Sequence, residues 1–266
     1  MQTTVMGRVV GYDERGQGTP VILIHGFPLN RMIWEAQWEG LMDHARIIAP
    51  DLRGFGESEM VEATTEVGTY ADDVRELVNA LGITEPAIIV GHSMGGYVAM
   101  AYLRRYPDHV AGLILVNTKA TADTIEAQAG RDKNIAVAKE KGADGIAEEM
   151  LPKVFSPKTY TSNPELVAQV KRIMQSASVA GIVGALSAMR ERPDSTPTLL
   201  EFSQPTLIIA GADDLLMNAA DQENMKLAAR NSTLVTVPDA GHLTPMEQPE
   251  AFNNAVIEFL RTMVRA

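Results

Sequence analysis

The sequence predicts an α/β protein built on a mostly parallel sheet, and three observations carry that prediction. Short apolar runs without polar alternation recur along the chain, as expected of strands covered on both faces. Helix-forming segments with recognisable start and stop signals lie between them. A Gly-x-Ser-x-Gly pentapeptide stands at the junction of one such strand and one such helix.

The elements follow in order. Val5–Tyr12 is β-rich and leads into the turn cluster Asp13–Pro20. Val21–Ile24, Arg46–Ala49, Pro86–Val90 and Gly112–Val116 read as strands. Thr69–Leu81 reads as a helix with Thr69 as cap, Asp72 and Asp73 in its first turn and Gly82 as its stop. Met94–Arg105 is a second helix, ended by Tyr106-Pro107. Strand alternating with helix implies right-handed parallel crossovers. From residue 118 to 203 no strand is found. Helix formers recur in Thr124–Lys141, Ile146–Leu151 and Glu165–Arg190, punctuated by Pro152, Pro157 and Pro164, so a helical insertion is predicted. Strands return at Pro205–Ala210 and Thr233–Val237. Pro249–Val264 closes the chain as a helix with Phe252, Val256, Phe259, Leu260 and Met263 on one face.

Composition narrows the function. The 266 residues carry a formal net charge of −11 and no Lys/Arg run, which disfavours nucleic acid as a partner. No cysteine is present, so disulfides, thiolate metal sites and a thiol nucleophile are excluded. No apolar run is long enough to span a bilayer, and the first residues do not pattern as a signal peptide. A cytoplasmic protein, with no membrane partner, is the expectation.

The chemistry is predicted from Gly91-His-Ser-Met-Gly95. Ser93 would sit on a sharp, strained turn, and side chains at 91 and 95 would collide with the adjoining strand and helix. Its hydroxyl would project at the C-terminal edge of the sheet, beside a helix N-terminus. A serine needs a base. Among the five histidines, His44 and His109 lie in polar stretches, His92 is turned away by the elbow, and His25 is assigned a structural loop role. His242, on a loop after the last predicted strand, is the expected base. The acid follows the strand ending at Ala210, where Asp213 and Asp214 compete. The amides of Met94 and of Phe27, in the loop His25-Gly-Phe-Pro28, are the predicted oxyanion donors; Pro28 has no N–H to give.

These blocks resemble the α/β-hydrolase superfamily in its order: His25-Gly-Phe-Pro28, Asp51-Leu-Arg-Gly-Phe-Gly-Glu-Ser58, Gly91-His-Ser-Met-Gly-Gly96, Gly211-Ala-Asp-Asp214 and Gly241-His242. The resemblance implies an eight-stranded, mostly parallel sheet flanked by helices. It implies a core domain of residues 1–117 and 204–266, and a helical cap of 118–203 over the active site. It favours Asp214, three residues after Gly211, as the acid, and makes Asp51 part of a structural turn. Leu215-Leu-Met-Asn218 replaces the Thr-Pro that often follows the acid.

Within the superfamily the chain resembles small bacterial carboxylesterases and 3-oxoadipate enol-lactonases, notably over Gly241-His-Leu-Thr-Pro-Met-Glu-Gln-Pro-Glu250. Ser93 sets it apart from relatives with an elbow aspartate, Leu243 from the C–C hydrolases, and the absence of lysine between 231 and 260 from hydroxynitrile lyases. Perhydrolases and cofactor-free haloperoxidases share the triad. The expected reaction is hydrolysis of a small ester or lactone without cofactor or metal, with activity rising as the histidine base deprotonates, near the ordinary imidazole pKa of about 6.5. The alternative is a small-molecule binding protein on the same fold. A mostly apolar pocket is expected, with Met150, Phe155, Met174 and Met189 as candidate wall residues, each of which packing alone would also explain. Trp34 and Trp38, four apart, are expected to pack a helix.

Overall fold

The computed structural model describes residues 1–60 and 66–264. It holds one eight-stranded sheet: β1 (Gln2–Val5), β2 (Arg8–Arg15), β3 (Pro20–Ile24), β4 (Arg46–Pro50), β5 (Ala87–His92), β6 (Val110–Val116), β7 (Thr206–Gly211) and β8 (Ser232–Val237), in the order β1-β2-β4-β3-β5-β6-β7-β8. β1 and β2 pair antiparallel, as do β2 and β4; every other neighbour is parallel. The expected eight-stranded, mostly parallel sheet is therefore present.

The unbroken apolar runs explain how both faces are covered. In β3, Ile22 and Ile24 join the core on one face and Val21 and Leu23 the core on the other; β5 splits likewise between Ile89 and the pair Ile88 and Val90. Side chains alternate across a strand, so a run with no polar residue must be buried twice. The first face packs α2 (Val67–Ala80) and α3 (Met94–Arg105). The second packs α1 (Trp38–Leu41) and the C-terminal helix (Pro249–Val264), whose Phe252, Val256, Phe259 and Leu260 all face inward.

Several expected boundaries shift. Val5–Tyr12 is two strands, because Met6 and Gly7 both take positive φ (49° and 78°) and reverse the chain in a two-residue turn. Thr69 is not a cap: the helix begins at Val67, with Glu66 in extended conformation at its N-cap position. Trp34 is fully buried in a short 3-10 helix, Arg31–Gln37, while Trp38 begins α1 and is only half-buried.

Between β6 and β7 the chain is helical: α4 (Ile125–Val154), α5 (Pro157–Ser162), α6 (Pro164–Gln175), α7 (Val179–Glu191) and α8 (Thr196–Glu201). α4 joins two predicted helices across a break at Gly142, where φ is 67°. Glu165–Arg190 instead divides at Gln175–Val179, where Ser178 caps α7 by accepting from the Gly181 amide. Pro157 and Pro164 occupy first helical positions, where a missing N–H costs nothing. After β7 comes α9 (Ala219–Ala228), which the sequence reading did not anticipate.

Candidate active site

Three sheet edges meet at Ser93. β5 ends at His92, and Ser93 turns the chain with φ 53° and ψ −116°, a backbone conformation that is costly for a side-chain-bearing residue and here is held on all sides. Its N–H donates to Val116 O (2.9 Å), and its carbonyl accepts from the Thr118 hydroxyl (2.7 Å) and the Gly96 amide (2.9 Å). A Cβ at Gly91 would stand 2.3 Å from Gly95 O, and one at Gly95 2.2 Å from Ile24 O. Both positions therefore admit only glycine.

The Ser93 hydroxyl lies 2.8 Å from His242 Nε2, and His242 Nδ1 lies 2.9 Å from Asp214 Oδ2 and 3.1 Å from Oδ1. The imidazole therefore donates from Nδ1 to the carboxylate and accepts from the serine at Nε2. Asp214, not Asp213, makes this contact; the backbone amide of Asp213 is turned to Ala240 O (2.8 Å). Asp214 also accepts from Asn117 Nδ2 and from the Leu216 amide (2.8 Å each) and from the Met217 amide (3.1 Å). Burial opposes its ionisation, but the charge of His242 and these donors outweigh it and hold the carboxyl below the usual carboxylate range.

Phe27 and Met94, whose amides are the expected oxyanion donors, adjoin the serine, one across the cavity and one in sequence. Met94 begins α3, so its amide has no partner within the helix. Phe27 lines the same cavity as Ser93 and His242. Among the described residues neither amide is paired with a backbone carbonyl. The loop that carries Phe27, which includes the cis Phe27–Pro28 peptide, is fixed by His25. That imidazole donates from Nδ1 to Gly26 O (2.9 Å) and accepts at Nε2 from the Leu52 amide (2.9 Å). Burial keeps it neutral, with a pKa below the ordinary value. Asp51 serves the neighbouring turn: it accepts from the amides of Arg31 and Glu57 (2.8 Å each) and pairs with the Arg31 guanidinium.

Three supports were not legible beforehand. His92 is fully buried behind the base; its Nε2 donates to His242 O (2.7 Å), the two rings are 5.1 Å apart, and desolvation, with His242 beside it, pushes its pKa down to about 3. Asn117, at φ 47°, binds Asp214 and also Gly241 O (3.1 Å). Glu247 accepts from the amides of Gly241 (2.8 Å) and Leu243 (3.3 Å) with one oxygen, and from the Ser156 amide (2.8 Å) and Thr159 hydroxyl (2.7 Å) with the other. Only Asn117 left a signal, as a residue tolerant of positive φ directly after a strand. Glu247 and Ser156 lie 91 positions apart and gave none.

A cavity of about 270 Å³ opens over the serine. Its wall corrects the expectation of a mostly apolar pocket. Met150, Met189, Leu216 and Met217 contribute, but α4 and the segment before it bring Lys119, Asp123, Arg131, Asn134, Glu149 and Lys153. Of the four candidate wall residues, Met150 and Met189 line the cavity. Phe155 and Met174 do not: both are buried in the core of the second face, with Phe155 edge-on to Tyr160. Among the described residues no group of three or more histidine and acidic side chains is placed to hold a metal, and no helix is long and apolar enough to cross a membrane.

A strained serine at a strand–helix turn, with a histidine and an aspartate delivered from two later sheet edges, defines an α/β-hydrolase. Residues 19–249 match the family model of the alpha/beta hydrolase fold, and the chain belongs to that family. It is 31% identical to the AB hydrolase superfamily protein YisY of Bacillus subtilis, over 93% of each chain. It is 29% identical to 3-oxoadipate enol-lactonase 2 of Acinetobacter baylyi, over 95% of this chain and 93% of the other. Among solved structures, a thermophilic esterase from Thermogutta terrifontis, with malate bound, is 40% identical with a TM-score of 0.95, over 99% of this chain and 98% of that one.

Proposed function

We propose that this protein hydrolyses small carboxylic esters through an acyl-enzyme on Ser93, under a cap formed by the helical insertion. The observation that carries the reading is the continuous line from Ser93 Oγ through the His242 imidazole to Asp214. Ser93 Oγ attacks the ester carbonyl as its proton passes to His242 Nε2. The carbonyl oxygen, now anionic, takes hydrogen bonds from the amides of Phe27 and Met94. His242 returns the proton to the departing alkoxide, then deprotonates the water that releases the acid. Asp214 holds the imidazole tautomer and balances the imidazolium formed in each half-reaction.

Esterase and enol-lactonase relatives at this similarity support ester chemistry, and an intramolecular ester is cleaved by the same steps. The test is hydrolysis of a short-chain p-nitrophenyl ester by the wild type and by Ser93→Ala. Turnover that disappears in the variant is the expected result; equal activity in both would overturn the nucleophile. A wild type that reacts once with a fluorophosphonate at Ser93 but never turns an ester over would instead place the chain among binding proteins.

A further inference from the structure

The charged wall of the cavity has no part in the chemistry above, and its arrangement is specific. Arg131, on α4, directs Nε to Asp123 (3.0 Å), and among the described residues its two Nη groups meet no acceptor. Asp123 is itself buried and held from behind by Arg192 (2.7 Å). Arg192 is fixed in turn: it donates to Met189 O (2.8 Å) and Thr121 O (2.9 Å), and its guanidinium lies 3.9 Å over the Tyr97 ring. Burial opposes the charge of Asp123, but Arg131 and Arg192 outweigh it, so the carboxylate stays ionised. The result is a guanidinium held at Nε, with its Nη groups uncommitted, on a residue that lines the cavity holding Ser93.

Two further cations share that wall. Lys119 lies 4.0 Å from Asp123, which Arg131 and Arg192 hold more closely, and Lys153 meets no acid among the described residues. The acid that remains, Glu149, is partly exposed and lies 3.9 Å from Lys133. The Tyr97 hydroxyl is buried, has no hydrogen-bond partner among the described residues, and belongs to a residue of the same lining. The lining thus carries three cations against two acids, in a chain of net charge −11. The guanidinium fork of Arg131 suits a carboxylate, which it can bind bidentately. The cavity has room for roughly nine water-sized groups, enough for an ester of a short dicarboxylic acid.

We propose that Arg131, with Lys119 and Lys153, forms a carboxylate subsite, so that the preferred substrates are small esters bearing a second, free carboxylate. This rests on the esterase reading for its kinetic arm but not for its binding arm. The kinetic arm compares monoethyl succinate with ethyl butyrate, which differ by a carboxylate in place of a methyl. The wild type is expected to favour the succinate ester at least tenfold in kcat/KM, and Arg131→Gln to lower that ratio about 10- to 100-fold, through KM. Lys139→Gln makes the same charge change on an exposed part of α4 outside the cavity and should leave the ratio at the wild-type value. The binding arm titrates succinate itself by calorimetry. Binding that weakens with salt and is lost in Arg131→Gln supports the subsite even if neither ester is turned over, an outcome that would sink the esterase reading alone. A wild-type ratio at or below one, a ratio unchanged in Arg131→Gln, or no succinate binding would overturn the subsite.

Discussion

The floor of the cavity and its helical wall are built on opposite principles. On the floor, contributed by the sheet, the acid and the loop histidine are buried and answered: Asp214 by His242, Asn117 and two amides, His25 by a carbonyl and an amide. On the wall, contributed by α4 and the segment before it, cations line the cavity with donors unspent. Saturated groups cannot adjust, which suits a site where geometry must be ready before the substrate arrives. Unspent donors wait for the ligand to complete them. Reaction type is thus written in the floor, and selection among substrates in the wall.

The sharpest way to break this division is at the floor. Ser93→Ala should lower kcat by about 10⁶-fold with KM little changed, read from initial rates on a short ester. Asp214→Asn should follow at about 10⁴-fold, because an amide no longer fixes the Nδ1–H tautomer. If Asp213→Asn costs as much as Asp214→Asn, the geometric assignment of the acid is wrong. Asn117→Ala should cost about 1–3 kcal/mol of stability, seen as a lower denaturant midpoint, by leaving Gly241 O with the Thr244 hydroxyl as its remaining side-chain donor and by loosening the acid. The wall predicts smaller effects, the tenfold changes in substrate preference given above for Arg131→Gln.

Acid stability tests the floor in another way. The folded pKa of His92 is depressed to about 3, so protons bind the unfolded chain first. Stability should therefore be full above about pH 6.5 and fall as pH drops from there toward 3, by about 1.4 kcal/mol per pH unit for this histidine, with His25 adding in the same direction. Thermal melts from pH 7.5 to 4.5 would show it, and His92→Gln should have a shallower slope. A melting temperature flat over that range would mean that His92 is not buried neutral.

The floor was far more legible in the sequence than the wall, for a physical reason. Ser93, the strand before it and the helix after it are contiguous, and Gly91 and Gly95 are required by backbone contacts within a few residues. His242 and the pair Asp213 and Asp214 could be found because each follows a strand that announces it; the resemblance to the family favoured Asp214 of the two. The wall has no such grammar. Arg131 faces the site only because α4 crosses it at one particular rotation, and Asp123 and Arg192, which hold it, are 69 positions apart. Phe155 and Met174 were named as wall residues for being large and apolar; those same properties drew them into the core instead.

Glu247 joins the two halves of the molecule, and protein engineering inherits that bond. Exchanging residues 118–203 for the insertion of a relative is an obvious route to new specificity, but here the graft would reach the catalytic base. One oxygen of Glu247 holds the amides on either side of His242, and the other holds Ser156 and Thr159 of the insertion. A graft without donors at 156 and 159 strands that carboxylate, at a cost on the order of 1–3 kcal/mol, and frees the histidine loop to drift. Transplants that preserve those two anchor points should keep their turnover, and those that discard them should lose it in proportion to how far the imidazole wanders from Ser93.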